Sequence, residues 1–143
     1  MSVEALADRV ENLVHRETQV HAEGVDLTLD AVHVVAGPGQ VDFGGGELAE
    51  CDTSKIEPTK RAPDDDYGWW HLGGGTYLVE YNESLSGERM AHAHLQPRTE
   101  LVERGVSHPT LRTATVPPIP LSVPPAGVQL KENARVSTLL PLG

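Results

Sequence analysis

Glycine and proline punctuate this chain so densely that long helices have no room: fourteen of the first and eleven of the second are spread over 143 residues. Each proline removes a backbone donor and each glycine adds conformational freedom, so the stretches between them are short. Short stretches separated by turns are the pattern of an all-β architecture. The clearest stretch runs from Gly24 to Val35, where Val25, Leu27 and Leu29 alternate with Asp26, Thr28 and Asp30 before Val32, Val34 and Val35 extend the run. That alternation predicts a strand with one apolar face. Asp26 then reads either as solvent face or as a carboxylate held near a site.

Other strands are predicted at Thr76 to Tyr81, Met90 to Gln96, Ile119 to Val123 and Val136 to Leu140, with a short one inside PPAGVQLKENA. Pro117, Pro118, Pro120, Pro124 and Pro125 demote the Ile119 strand to an edge or an irregular strand. Over residues 3 to 15, Val3, Leu6, Val10 and Val14 repeat at helical spacing behind Ser2 as cap, which predicts one N-terminal helix within residues 1–20. Residues 36 to 75 read as a low-order excursion whose acidic part, 44–68, is expected to be partly disordered. Trp69 and Trp70 are expected to pin it to the body, and Asp64, Asp65 and Asp66 read as a solvated charge run. The whole chain, 1–143, is read as a single domain.

The formal net charge of -10 repels nucleic acid, and a small anion too unless a divalent cation or salt screens it. Lys55, Lys60 and Lys131 are the only lysines. An acidic, lysine-poor surface suits a salt-loving organism. One cysteine, Cys51, excludes an internal disulfide and suits a reducing cytoplasm. With no signal peptide and no long apolar run, no membrane association is expected.

Chemistry concentrates in HAHLQPRTELVERG, from His92 to Gly105. Pro97 ends a strand there, and Arg98 is expected at its rim with a free guanidinium fork, the place and group that would grip a phosphate. His92 and His94 share a strand face and Glu100 follows, which echoes the metal box of cupins. The usual later histidine is replaced by Leu130. A cupin-like metalloprotein is therefore the alternative reading.

The order GVDLTLDAV, TYLVEYNE, PRTELVERGV, TLRTA and PAGVQLKENARVSTLL resembles the dUTPase and dCTP deaminase superfamily, in particular its archaeal members. The resemblance covers most of the chain from Gly24 onward, and PRTEL is its most specific segment. It implies a distorted jelly-roll β barrel, a homotrimer with sites at subunit contacts, and magnesium as cofactor. It also implies action on a pyrimidine deoxynucleoside triphosphate: hydrolysis of dUTP or deamination of dCTP. By the same resemblance Asp26 is the first-motif acid near the metal-bound triphosphate, Arg98 and Thr99 are phosphate-binding residues of the second motif, and Arg135 is the basic residue of a fourth motif spanning Gly127 to Leu140.

The chain also departs from that pattern. Glu100 replaces the second phosphate-binding serine, and like charges at contact cost several kcal/mol without an intervening cation. Thr138 stands where glutamine is usual. Between TLRTATV and PPIPLSV the third-motif hairpin, which holds the base and activates water, is missing, and the chain stops at Gly143 without a Gly-rich arm. These departures predict a scaffold better kept than its catalysis, with two outcomes: activity, or a lapsed homologue that binds a nucleotide or joins an active relative as a partner.

Overall fold

The computed structural model describes residues 1–87 and 93–142. In chain order the elements are α1 (Val3–Ala7), β1 (Val10–Glu11), α2 (Arg16–Gln19), β2 (Val25–Gly37), β3 (Asp52–Ile56), β4 (Trp69–Leu72) and β5 (Gly75–Tyr81). Then follow β6 (Ser84–Leu85), β7 (Ala93–Pro97), α3 (Thr99–Val102), β8 (Leu111–Thr113), β9 (Ile119–Val123), β10 (Val128–Lys131) and β11 (Arg135–Pro141). The main sheet runs β8-β7-β11-β2-β5-β9, with β3 paired to the far half of β2, and curls into a half-barrel. Two further two-stranded ladders pair β1 with β6 and β4 with β10.

The long strand β2 organises the sheet because its two halves pair differently. Val25, Asp26, Leu27 and Thr28 pair with β11, while Leu29 to Val34 pair with β5 and Val32 to Gly37 with β3. Its Val25, Leu27, Leu29, Ala31 and Val32 side chains line a core shared with Val79, Leu95, Ile119, Leu121 and Leu139, all buried. Gly24 lets the strand start tight against β11: a β-carbon there would sit 2.2 Å from the Leu139 carbonyl oxygen. At the edge, β9 pairs with β5 and meets the 107 loop through a single Ser107–Ser122 bridge. A proline-bearing strand tolerates that position.

Two sequence expectations differ in the structure. The N-terminal helix stops at Ala7, not near residue 15, because Val10 is worth more paired with Leu85 in β1–β6 and Asn12 then turns the chain at φ 67°. Val14 is left exposed, and the helical periodicity past Ala7 is coincidental. The excursion carries secondary structure: β3 pairs with β2, and isolated bridges tie Gln40 to Ala49 and Thr59 to Trp69. Trp70 is buried and its Nε1–H donates to the Ile56 carbonyl at 2.9 Å, so the tryptophan pair does hold the excursion down. The β7 strand is seen from Ala93; the earlier part of that predicted strand, His92 included, lies outside the described residues. Asp64 and Asp66 are exposed, while Asp65 accepts from the Ala62 N–H in a local turn.

Candidate functional site

Neighbouring strands β7, β11 and β2 carry Gln96, Thr138 and Asp26 side by side, because Thr138 pairs with both Gln96 and Asp26. The sheet thus places three polar side chains in one row. Pro97 ends β7, and Arg98 follows as the residue that caps α3 in extended conformation, φ -71° and ψ 151°. Its backbone N–H still donates to the Val136 carbonyl at 3.0 Å, which fixes where the side chain starts.

Asp26 is the centre of the row and is 1% exposed. Its Oδ1 accepts from Thr138 Oγ1 at 2.7 Å and lies 2.9 Å from His21 Nε2. Its Oδ2 accepts from Arg135 Nη1 at 3.1 Å and sits 3.4 Å from Arg98 Nε. A buried carboxylate is tolerated only when compensated in this way. The apolar–polar alternation of β2 therefore does not mark a solvent face: Asp26 and Thr28 are both buried, under the α2 segment and its network.

Arg98 does not present the free fork that its position past Pro97 suggests. Besides Asp26 it pairs through Nη2 with Glu100 Oε2 at 2.5 Å, and Nη1 donates to the Arg135 carbonyl at 3.3 Å. Carboxylates hold the guanidinium because α3 begins at once and swings Glu100 back toward its cap. The arginine is still not sealed into the interior. It opens onto a cleft of about 450 Å³ lined by Thr18, His21, Glu23, Gln96, Thr99 and Arg135 with Asp26, Glu100 and Thr138. Arg98, Thr99, Arg135 and Asp26 thus meet at one cleft. His94 is exposed on β7 and Glu100 is engaged by Arg98; among the described residues no three His, Cys, Asp or Glu side chains are placed to hold an ion.

Sequence reasoning missed His21 and Gln96 here, and saw Thr138 only as a replacement. Nothing in the sequence near His21 distinguishes it; the chain reverses there through a 3.0 Å bond from its N–H to the Gly24 carbonyl. Gln96 ends the predicted Met90 to Gln96 strand, and what it faces depends on its pairing with β11.

A second cavity, about 440 Å³, lies by His33, Cys51, Leu78 and Glu80. Its one ion pair, His33 Nε2 to Glu80 at 3.4 Å, lacks hydrogen-bond geometry, and no pair of cations converges there. On the opposite face of β11, Ser137 lies between Tyr81, at 2.6 Å, and His108 Nε2, at 2.7 Å, while His108 Nδ1 reaches the Pro109 carbonyl. Burial lowers the His108 imidazole from its usual 6.5 and raises the Tyr81 hydroxyl, so both stay neutral at pH 7.

No protein-family model matches the chain. A probable deoxyuridine 5'-triphosphate nucleotidohydrolase of Methanosarcina mazei is 34% identical over 139 residues, which cover 92% of this chain and 76% of that one. The protein of the same name from Methanosarcina acetivorans is 33% identical over 146 residues, covering 96% and 80%. This chain belongs to the dUTPase family. Another relative of that name, from Halobacterium salinarum, is 31% identical over 97 residues, 68% of this chain and 56% of its own. Among solved structures, the 2'-deoxycytidine 5'-triphosphate deaminase from Agrobacterium tumefaciens superposes with a TM-score of 0.63 at 15% identity, over 97% of this chain and 47% of that one. That likeness shows the fold, the distorted jelly-roll barrel of the dUTPase type. In this dUTPase-family chain β8 and β9 are joined by residues 114–118 alone, too few for a hairpin between them.

Proposed function

We propose that the cleft binds a pyrimidine deoxynucleoside triphosphate, dUTP first, as its magnesium complex. Arg98, Thr99 and Arg135 would take the phosphates, while Asp26 holds both arginines in position. One observation carries the reading: two arginines from distant parts of the chain converge on one buried carboxylate at the wall of an open polar cleft. Guanidinium forks and a hydroxyl suit phosphate oxygens.

The donor set fits magnesium, which takes one or two carboxylates together with substrate phosphates and water. Asp26 is saturated by its own donors, so it supports the site, and Glu23 and Glu100 are the carboxylates that would hold the ion. Bound there, it would supply positive charge against the phosphates. The reading also includes a homotrimer in a salt-adapted cytoplasm, supported by family membership, the net charge and the lone thiol of Cys51.

Turnover by these residues alone should be weak. Among the described carboxylates of the cleft Asp26 is saturated, Glu100 is engaged by Arg98 and Glu23 would be taken up by the ion, so none is left free as a general base, and the 114–118 link carries no hairpin to bring one. A missing base typically costs about 10²- to 10⁴-fold. Incubation with each deoxynucleoside triphosphate and magnesium in high salt, with pyrophosphate and ammonia both measured, tests this. The expected result is slow pyrophosphate release from dUTP or none, and no ammonia. Fast release from dUTP, lost in Arg98→Ala, would show a full enzyme; fast ammonia release from dCTP would replace the assignment with deamination.

A further inference from the structure

Resting on that reading, the two carboxylates on Arg98 deserve separate roles because their surroundings differ. Asp26 is 1% exposed and fixed by a strand and by four side chains. Glu100 is half exposed, sits in the first turn of α3, and its carboxylate has Arg98 as its sole partner among the described residues. Glu100 meets the guanidinium at Nη2 while Asp26 lies nearest its Nε, and both carboxylates line the cleft. The chain thus supplies its own anion to the cation that should take a phosphate.

The charge balance sharpens this. Three carboxylates, Glu23, Asp26 and Glu100, line the cleft against two arginines, Arg98 and Arg135, in a molecule of net charge -10. A bare triphosphate would have to displace Glu100 and then lie beside it, two like charges at contact.

We infer that Glu100 is an internal stand-in for phosphate, which holds Arg98 while the cleft is empty and yields it only to a triphosphate that brings a divalent cation, toward which the freed carboxylate turns. Nucleotide and cation then help each other to bind, by the same factor in both directions. Neutralising Glu100 releases Arg98 without altering the fold, since the side chain is at the surface.

The test is a calorimetric titration of the full chain with dUTP, in magnesium and in EDTA, for wild type, Glu100→Gln and Glu103→Gln. The last makes the same change of net charge outside the cleft. Wild type should bind in magnesium and lose about 30-fold or more in EDTA. In EDTA, Glu100→Gln should bind about 10-fold more tightly than wild type, within the usual range for coupled sites, and Glu103→Gln should follow wild type. If wild type binds but Glu100→Gln keeps its full cation dependence, or Glu103→Gln shifts it equally, the stand-in role is wrong and the site stands. If the folded wild type and Glu100→Gln bind no dUTP in either buffer, the site reading and the inference fall together.

Discussion

Glu83 shows how this small barrel keeps a carboxylate inside. It is 3% exposed, and its oxygens accept from the Thr28 N–H at 2.7 Å, the Thr28 hydroxyl at 2.5 Å and the Gln19 amide at 2.8 Å. Gln19 in turn donates to the Asp26 carbonyl at 2.9 Å, so Glu83 ties α2 to the strand that carries the site. Glu83→Ala would leave three buried donors without an acceptor and should cost about 3 kcal/mol or more in denaturant unfolding; a loss under about 1 kcal/mol would show that water replaces the carboxylate. His108 gives a second prediction. Its Nδ1–H donates to the Pro109 carbonyl, so Nε2 accepts from Ser137, and Tyr81 donates to Ser137. Because burial lowers its folded pKa below the usual 6.5, the unfolded chain takes up the proton first. The stability tied to neutral His108 is therefore complete above about pH 6.5 and is lost as pH falls through the lowered folded value. Denaturation midpoints at pH 8 and pH 5 should differ more in wild type than in His108→Leu; equal differences would clear His108 of the acid response.

Strands were legible where an apolar run is long, and missed in β4, whose Trp70 and Leu72 are buried but whose four residues lie among glycines and acids. Val25 to Val35, Thr76 to Tyr81, Ile119 to Val123 and Val136 to Leu140 all lie within strands of the fold, with the proline-rich one at an edge. In β3 the pattern gives no signal, because Asp52, Thr53, Ser54 and Lys55 are exposed and Ile56 alone turns inward. Its place is set by pairing with β2, a partner no local pattern reveals. The site was legible through Arg98, Thr99 and Asp26, which resemblance singled out; that Glu100 would close on Arg98 depended on how tightly α3 turns after Pro97. Trp70 is the element-scale anchor, buried with its indole N–H on the Ile56 carbonyl. Trp70→Ala should cost about 3–5 kcal/mol and speed proteolysis between residues 38 and 68. Unchanged cleavage there would mean that the β2–β3 ladder holds the excursion unaided.

At the scale of the whole molecule, charge sets the conditions under which the barrel and its cleft work. With a net charge of -10, self-repulsion weakens the compact state and repels anionic ligands, and both effects fade as salt shortens the range of the field. The melting temperature should rise from 0.1 M to 2 M potassium chloride; greatest stability in low salt would refute salt adaptation. The described residues include no helix long and apolar enough to cross a membrane. The central claim is that the cleft at Arg98 receives a triphosphate, and the most direct measurement is a titration of magnesium–dUTP into wild type and Arg98→Lys in high salt. Lysine keeps a positive charge near Asp26 but lacks the fork, so the variant should fold yet bind at least about 10-fold more weakly, while wild type binds one nucleotide per chain. Equal affinities in the two proteins, or no binding to folded wild type, would contradict the account.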